Sequence, residues 1–203
     1  MPKRAAVDAL EAVTELGRRQ EGFLAASQAA TAGVDRQRLQ RLVSRGLLER
    51  DSRGLYRILP FPESERAELW RAVLLPGVNR NESSAVLSDG TALELYDVST
   101  INPNVTEISV PRSLRLRRDI PRSIRIHRRD YEPQDVTTLF GLPATTLFRT
   151  LVDLITENRE LQFVDEAIER AGTRGLLTKK ELHSISGLRE LDGRVLALIK
   201  ARK

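Results

Sequence analysis

At 203 residues the chain can hold one large or two small domains with real cores, and 40% hydrophobic with 30% charged residues is the composition of an ordinary folded protein. No apolar run approaches the roughly 18 residues of a membrane span and no apolar leader opens the sequence. The absence of cysteine excludes disulfides and thiolate metal sites, and together these features point to the cytoplasm.

The net charge of +5 matters less than its distribution. Residues 1–60 hold eleven Lys/Arg against seven Asp/Glu, and residues 111–129 hold eight arginines and one acid, Asp119. Residues 130–171 reverse the sign, with nine acids and three arginines. Charge segregated in this way suits a protein that faces a polyanion on one side.

In chain order, residues 5–18 read as an amphipathic helix ended by Gly17, and residues 22–31 as a second, shorter helix. In TAGVD, Gly33 supplies the positive φ of a tight turn and Asp35 is placed to cap the next helix. That helix, Arg36 to Arg45, turns Leu39, Leu42 and Val43 inward and ends at Gly46. Two helices, a glycine turn and a third helix make the helix-turn-helix order. Residues 47–50 and 54–59 read as two short strands joined by Asp51-Ser52-Arg53-Gly54, so the domain is a winged helix-turn-helix. LPFP, residues 59–62, reads as a linker.

Helices are then predicted at 63–75 and 81–95, the second interrupted by Ser88-Asp89-Gly90. Val105–Val110 alternates like a strand. RSLRLRRDIPRSIRIHRR alternates again, and reads as two strands around an Asp-Ile-Pro bend with arginines on one face. Helices follow at about 145–157, 160–171, 178–185 and 188–202. The last carries Leu188, Leu191, Val195 and Leu198 in a stripe suited to core packing or to a partner.

Arginine can pair bidentately with guanine and glutamine with adenine, so Gln37, Gln40 and Arg41 are the candidates for base edges. Arg36, Ser44 and Arg45 accompany them on the same helix, with Arg36 and Arg45 on the backbone, and Arg50 and Arg53 reach phosphates or a minor groove from the wing. Three uses stay open for the basic segment 112–129: a wider DNA footprint, RNA binding, or pairing with the acidic segment 130–171. Arg149 and Asp153, four apart on a helix, read as a structural ion pair.

Nothing indicates catalysis. There is no GxxxxGK[ST], no HExxH, no paired histidine ligands and no nucleophile elbow. His127 and His183 are the only histidines, and Asp130 and Glu132 are simply two carboxylates in a loop. No cofactor or metal is called for.

The segments VDRQRLQRLVSRGLLERDSRGLYRI, SSAVLSDGTALELYDVSTINPNVTEISVP and GLPATTLFRTLVDLI, in that order and spacing, resemble the AbiEi-type antitoxins. These are the transcriptional-regulator half of abortive-infection (phage-defence) and related toxin–antitoxin systems. The resemblance covers residues from about 22 to 172. It implies a winged helix-turn-helix followed by an antitoxin domain, and negative autoregulation of a two-gene operon through promoter inverted repeats. It also implies a nucleotidyltransferase-like toxin that the antitoxin domain counteracts. By matching position, Gln37, Gln40, Arg41 and Arg45 take the DNA-reading role, and a positive face of the second domain corresponds to Arg112, Arg115, Arg117 and Arg125. The additional nuclease-like domain of some relatives is not expected.

The sequence therefore predicts an α+β protein. Residues 1–60 form a winged helix-turn-helix, and residues 61–203 a mixed antitoxin domain with a small sheet and several helices. Its expected role is that of a cytoplasmic, non-enzymatic repressor and antitoxin. Two copies would meet on double-stranded DNA, from a monomer or a dimer in solution. Asp165, Glu166 and Glu169, on the acidic helix at 160–171, are candidates to face the toxin. The alternatives are a winged-helix regulator whose second domain senses a small ligand, and an RNA-interacting protein that uses the arginine hairpin.

Overall fold

The computed structural model describes residues 2–59, 61, 62, 64–77, 85–116 and 119–188, with side chains from residue 9 onward. The class is α+β. Two compact units form: one from residues 1–85 with 113–119 and 140–142, the other from 86–112, 120–139 and the chain from 143.

In the first unit α1 (Pro2–Arg18) leads to β1 (Phe23–Ala25), α2 (Ala26–Thr31) and α3 (Arg36–Ser44). A hairpin follows, β2 (Leu48–Ser52) and β3 (Leu55–Ile58), and then α4 (Ala67–Leu74) with a single 3-10 turn after it. The three strands run antiparallel in the order β1-β3-β2. Val13, Leu24, Ala29, Leu39, Leu42, Leu48 and Ile58 fill the core beneath them. The sequence places the start of a helix at residue 22, but Phe23, Leu24 and Ala25 are all buried and pair with Arg57, Tyr56 and Leu55. A helix exposes one side of such a triplet, whereas this strand buries all three residues. The helix starts only at Ala26, where Gln28 Oε1 accepts from the Ala25 amide at 2.9 Å. The helix predicted from residue 63 likewise begins late, at Ala67, after a turn in which Ser64 Oγ accepts from the Arg66 amide.

The second unit holds β4 (Val86–Leu87), α5 (Asp89–Leu95), β5 (Thr106–Val110), β6 (Ile124–Arg128), β7 (Val136–Leu139) and β8 (Leu142–Thr145). Helices α6 (Leu147–Thr156), α7 (Leu161–Arg174) and α8 (Lys179–Leu188) follow. The sheet order is β6-β5-β4-β8-β7, with β4 antiparallel to β5 but parallel to β8. Leu93, Leu151, Leu154, Val164, Ile168, Leu182 and Ile185 form the helical core.

Two expectations fail here. The helix predicted at 81–95 is, within the described residues, a central strand at Val86–Leu87 followed by a helix from Asp89. Ser88-Asp89-Gly90 is the start of that helix rather than a break in it: Ser88 is extended, and its carbonyl accepts from the Ala92 amide. The arginine hairpin is absent among the described residues. Only Ile124–Arg128 is a strand, and it pairs parallel with β5, Thr106 opposite Ile124 through Val110 opposite Arg128. Parallel neighbours need a crossover of a dozen or so residues, and the described residues 111–116 and 119–123 between the two strands form no strand. Arg117, residues 81–84 and all but Leu188 of the predicted helix 188–202 lie outside the described residues.

Candidate nucleic-acid interface

Helix α3 is built for one exposed face. Gly33, at φ +79°, closes the preceding turn, and Asp35 Oδ1 accepts from the Arg38 amide at 2.8 Å. That satisfies one of the amides a helix start leaves without a partner. Leu39 and Leu42 point into the core at 1% and 2% exposure. Helical spacing then puts Arg36, Gln37, Gln40, Arg41 and Ser44 on the opposite side, all exposed, with Arg45 at the cap. Arg38 is also exposed, but its Nη1 donates to the Gly33 carbonyl at 2.7 Å and braces the turn.

The wing turns at Arg53-Gly54, with Gly54 at φ +81°. Its register slips between Arg50 and Ser52, a bulge that re-aims the side chains on either side of it. A cavity of about 290 Å³ separates helix from wing and brings Arg36 and Gln40 together with Arg50 and Arg53, over an apolar floor that includes Leu39 and Tyr56. The wing carboxylates are paired with other arginines. Glu49 meets Arg57 at 3.4 Å, and Asp51 meets Arg71 at 2.8 Å. The surface formed by α3 and the wing is therefore rich in guanidinium groups with two amides among them. Such a surface can hold phosphates and offer hydrogen bonds to base edges.

The second basic segment is less uniform. Arg125 Nη1 lies 3.0 Å from Glu107 but its side chain is 55% exposed. The Arg112 amide donates to Asp130 Oδ1 at 3.1 Å, and its guanidinium stands 4.0 Å from that carboxylate. Arg115 is exposed and groups with the first unit, Arg112 and Arg125 with the second.

On α7, Glu166 accepts from both the amide and the hydroxyl of Thr100, at 2.7 and 2.8 Å, and pairs with Arg170 at 2.6 Å. The Thr100 amide in particular holds its carboxyl below the ordinary range. Glu169 lines an open groove of about 540 Å³ beside Asp97, Arg170 and Arg174. Asp165 is half-buried one residue before Glu166.

Sequence reasoning missed a buried polar network in the second unit. Arg129, 8% exposed, donates to Asp89 at 2.6 and 3.0 Å and pairs with Glu157 at 2.7 Å. Arg159 bridges Asp89 at 2.8 Å and Glu107 at 2.5 Å. Tyr131 donates to Asp153 at 2.7 Å, and Asp153 also receives Arg149, the helical pair read from sequence. Burial would raise the Glu107 carboxyl, but hydrogen bonds from His127, Arg159 and the Gly90 amide outweigh it and hold the group at about 2. Burial pushes the Tyr131 phenol up to about 12. Asp89, His127 and Glu157 bring ligand atoms within 4.8 Å of one another. A cation there would compete with the guanidinium groups of Arg129 and Arg159. Asp130 and Glu132 are exposed. The one sequence signal for this network was Asp153, a carboxylate between Val152 and Leu154 on an apolar helix.

Residues 11–59 match the family model described as transcriptional regulator, AbiEi antitoxin. Of the three segments on which the resemblance was read, the match covers the first, the helix-turn-helix and wing. Among solved structures, the chain is similar to the RV2827C protein from Mycobacterium tuberculosis, with a TM-score of 0.51 and 15% identity over 94% of this chain and 80% of that one. At that identity the likeness is one of fold. No curated protein matches the sequence.

Proposed function

We propose that this protein, with its AbiEi-type N-terminal segment, is an antitoxin and DNA-binding autorepressor that recognises promoter inverted repeats and counteracts a nucleotidyltransferase-like toxin. The observation that carries the reading is the cavity joining Arg36 and Gln40 of α3 to Arg50 and Arg53 of the wing, on a face whose wing carboxylates are paired with Arg57 and Arg71. Residues 1–60 read the DNA: Gln37, Gln40 and Arg41 at base edges, Arg36, Ser44 and Arg45 beside them, Arg50 and Arg53 on phosphates or in a minor groove. Two copies occupy the two halves of an inverted repeat.

Residues 61–203 carry the antitoxin role. Arg112, Arg115, Arg117 and Arg125 add basic groups for nucleic acid. Asp165, Glu166 and Glu169 are the candidates to meet a toxin; Glu166 and Glu169 line the open groove on α7, and Glu166 also holds Thr100 and Arg170. The protein acts in the cytoplasm by binding, without catalysis.

The deciding experiment is anisotropy titration against the duplex immediately upstream of the gene and against a scrambled duplex, at about 50 and 200 mM salt. A preference for the upstream duplex that survives the higher salt supports the repressor. Equal, salt-labile binding to both removes it. Arg41→Ala then costs about 1–3 kcal/mol and relaxes preference at one base pair if that arginine reads a guanine.

A further inference from the structure

We propose that Arg71, on α4 and beyond the matched segment, is a positioning residue for the wing: it holds the Asp51 carboxylate away from the surface where Arg50 and Arg53 meet DNA. The inference rests on the DNA reading above and adds a residue to it.

Asp51 is the extra residue of the wing bulge, because Arg50 pairs with Tyr56 and Ser52 with Leu55. It sits in sequence between the two wing residues that line the cavity, yet its side chain is only 11% exposed and turns to Arg71, whose Nε donates to it at 2.8 Å. The same guanidinium is fixed on two other sides. Its Nη1 donates to Glu68 Oε1 at 2.8 Å, and it lies 5.2 Å from the centroid of the Phe23 ring on β1. Arg71 is thus anchored to its own helix and to the sheet while it grips the bulge. Without it, the Asp51 carboxylate would be released beside Arg50 and Arg53, its neighbours in sequence. A carboxylate there would compete with phosphate for those arginines and repel the duplex.

Glu68 makes the idea testable, because Arg71 neutralises both carboxylates but only Asp51 lies in the wing. Full-length wild type, R71M, D51N, R71M/D51N and R71M/E68Q are titrated by anisotropy against the labelled upstream duplex at about 50 mM salt, with thermal melting to verify folding. R71M is expected to weaken binding about fivefold, as removal of a charge that shapes an electrostatic interface does. D51N in that background returns affinity to within about twofold of wild type, whereas E68Q, which restores the same net charge, does not. Equal recovery with E68Q means that only net charge matters, and no recovery with D51N means that Arg71 touches DNA itself; either overturns the proposal, as does wild-type binding by R71M. Should R71M not fold, D51N alone decides: binding at or above the wild-type level supports the arrangement, and a fivefold loss overturns it. Wild type that binds no duplex removes the DNA reading and this inference together, whereas wild type that binds while the rescue fails removes the inference alone.

Discussion

Arg129 and Asp89 meet inside the second unit through two contacts, at 2.6 and 3.0 Å, with the aspartate fully buried and the arginine 8% exposed. Removing one partner of a buried pair leaves an uncompensated charge and costs about 3–5 kcal/mol. Asp89→Ala takes one carboxylate from Arg129, which keeps Glu157, and one from Arg159, which keeps Glu107. The aspartate sits at φ +52°, a conformation that alanine adopts less readily than aspartate. Chemical denaturation of the variant should show a loss of about 3 kcal/mol, the lower end of that range. A loss below 1 kcal/mol would mean that solvent reaches the network.

Glu107 makes stability depend on pH. Its carboxyl is held at about 2 against an ordinary 4.5. A depressed carboxylate contributes stability that is present above its unfolded value and lost as pH falls toward the folded one. Its contribution, about 3 kcal/mol at 1.36 kcal/mol per pH unit, is therefore complete above roughly pH 4.5 and lost on the way to pH 2. Glu107→Gln should be less stable than wild type at pH 6, and the gap should close between pH 4.5 and 2 in urea titrations. A gap that is constant across that window would put the effect in packing rather than in charge.

Asp35 has two separable properties, a cap and a charge. Asp35→Ala removes the acceptor for the Arg38 amide and should cost about 1 kcal/mol of stability. Asp35→Asn keeps an acceptor at that position and should melt near wild type. It also removes a negative charge from the start of α3, so its affinity for duplex should equal or exceed that of wild type. An asparagine variant that melts like the alanine one would show that the charge, not the hydrogen bond, holds the helix.

These residues differ in how far the sequence announces them. Asp35 and the burial of Leu39 and Leu42 follow from a local rule, since a cap and a helical stripe need only neighbours within one turn. The wing was legible for the same reason, because Gly54 closes a turn between adjacent strands. Arg129, Asp89 and Arg159 are forty and seventy residues apart in pairs, and no local pattern links them. β4 was hidden as well. Two residues, Val86 and Leu87, are too few to show an alternation, and their strand character comes from β5 on one side and β8 on the other. The arginine-rich stretch misled because an alternation of leucine and arginine fits a strand and a connection with a buried leucine equally well. Only the parallel register of β6 on β5 separates the two.

The cavity between α3 and the wing predicts a division of labour that salt can resolve. Arg50 and Arg53 are charged, exposed and on a hairpin, the arrangement for holding phosphates. Each phosphate contact contributes about 0.9 to the slope of log affinity against log salt. Arg50→Ala and Arg53→Ala should therefore each flatten that slope by about one and weaken the upstream and scrambled duplexes alike. Gln40 lines the same cavity from the helix but carries no charge. Gln40→Ala should leave the slope unchanged and reduce only the preference for the upstream duplex, by about 1–3 kcal/mol if the amide reads an adenine. The wing substitutions and the helix substitution thus move different observables in one titration series. A change in slope with Gln40→Ala, or a loss confined to the upstream duplex with Arg53→Ala, would reverse the roles assigned to helix and wing.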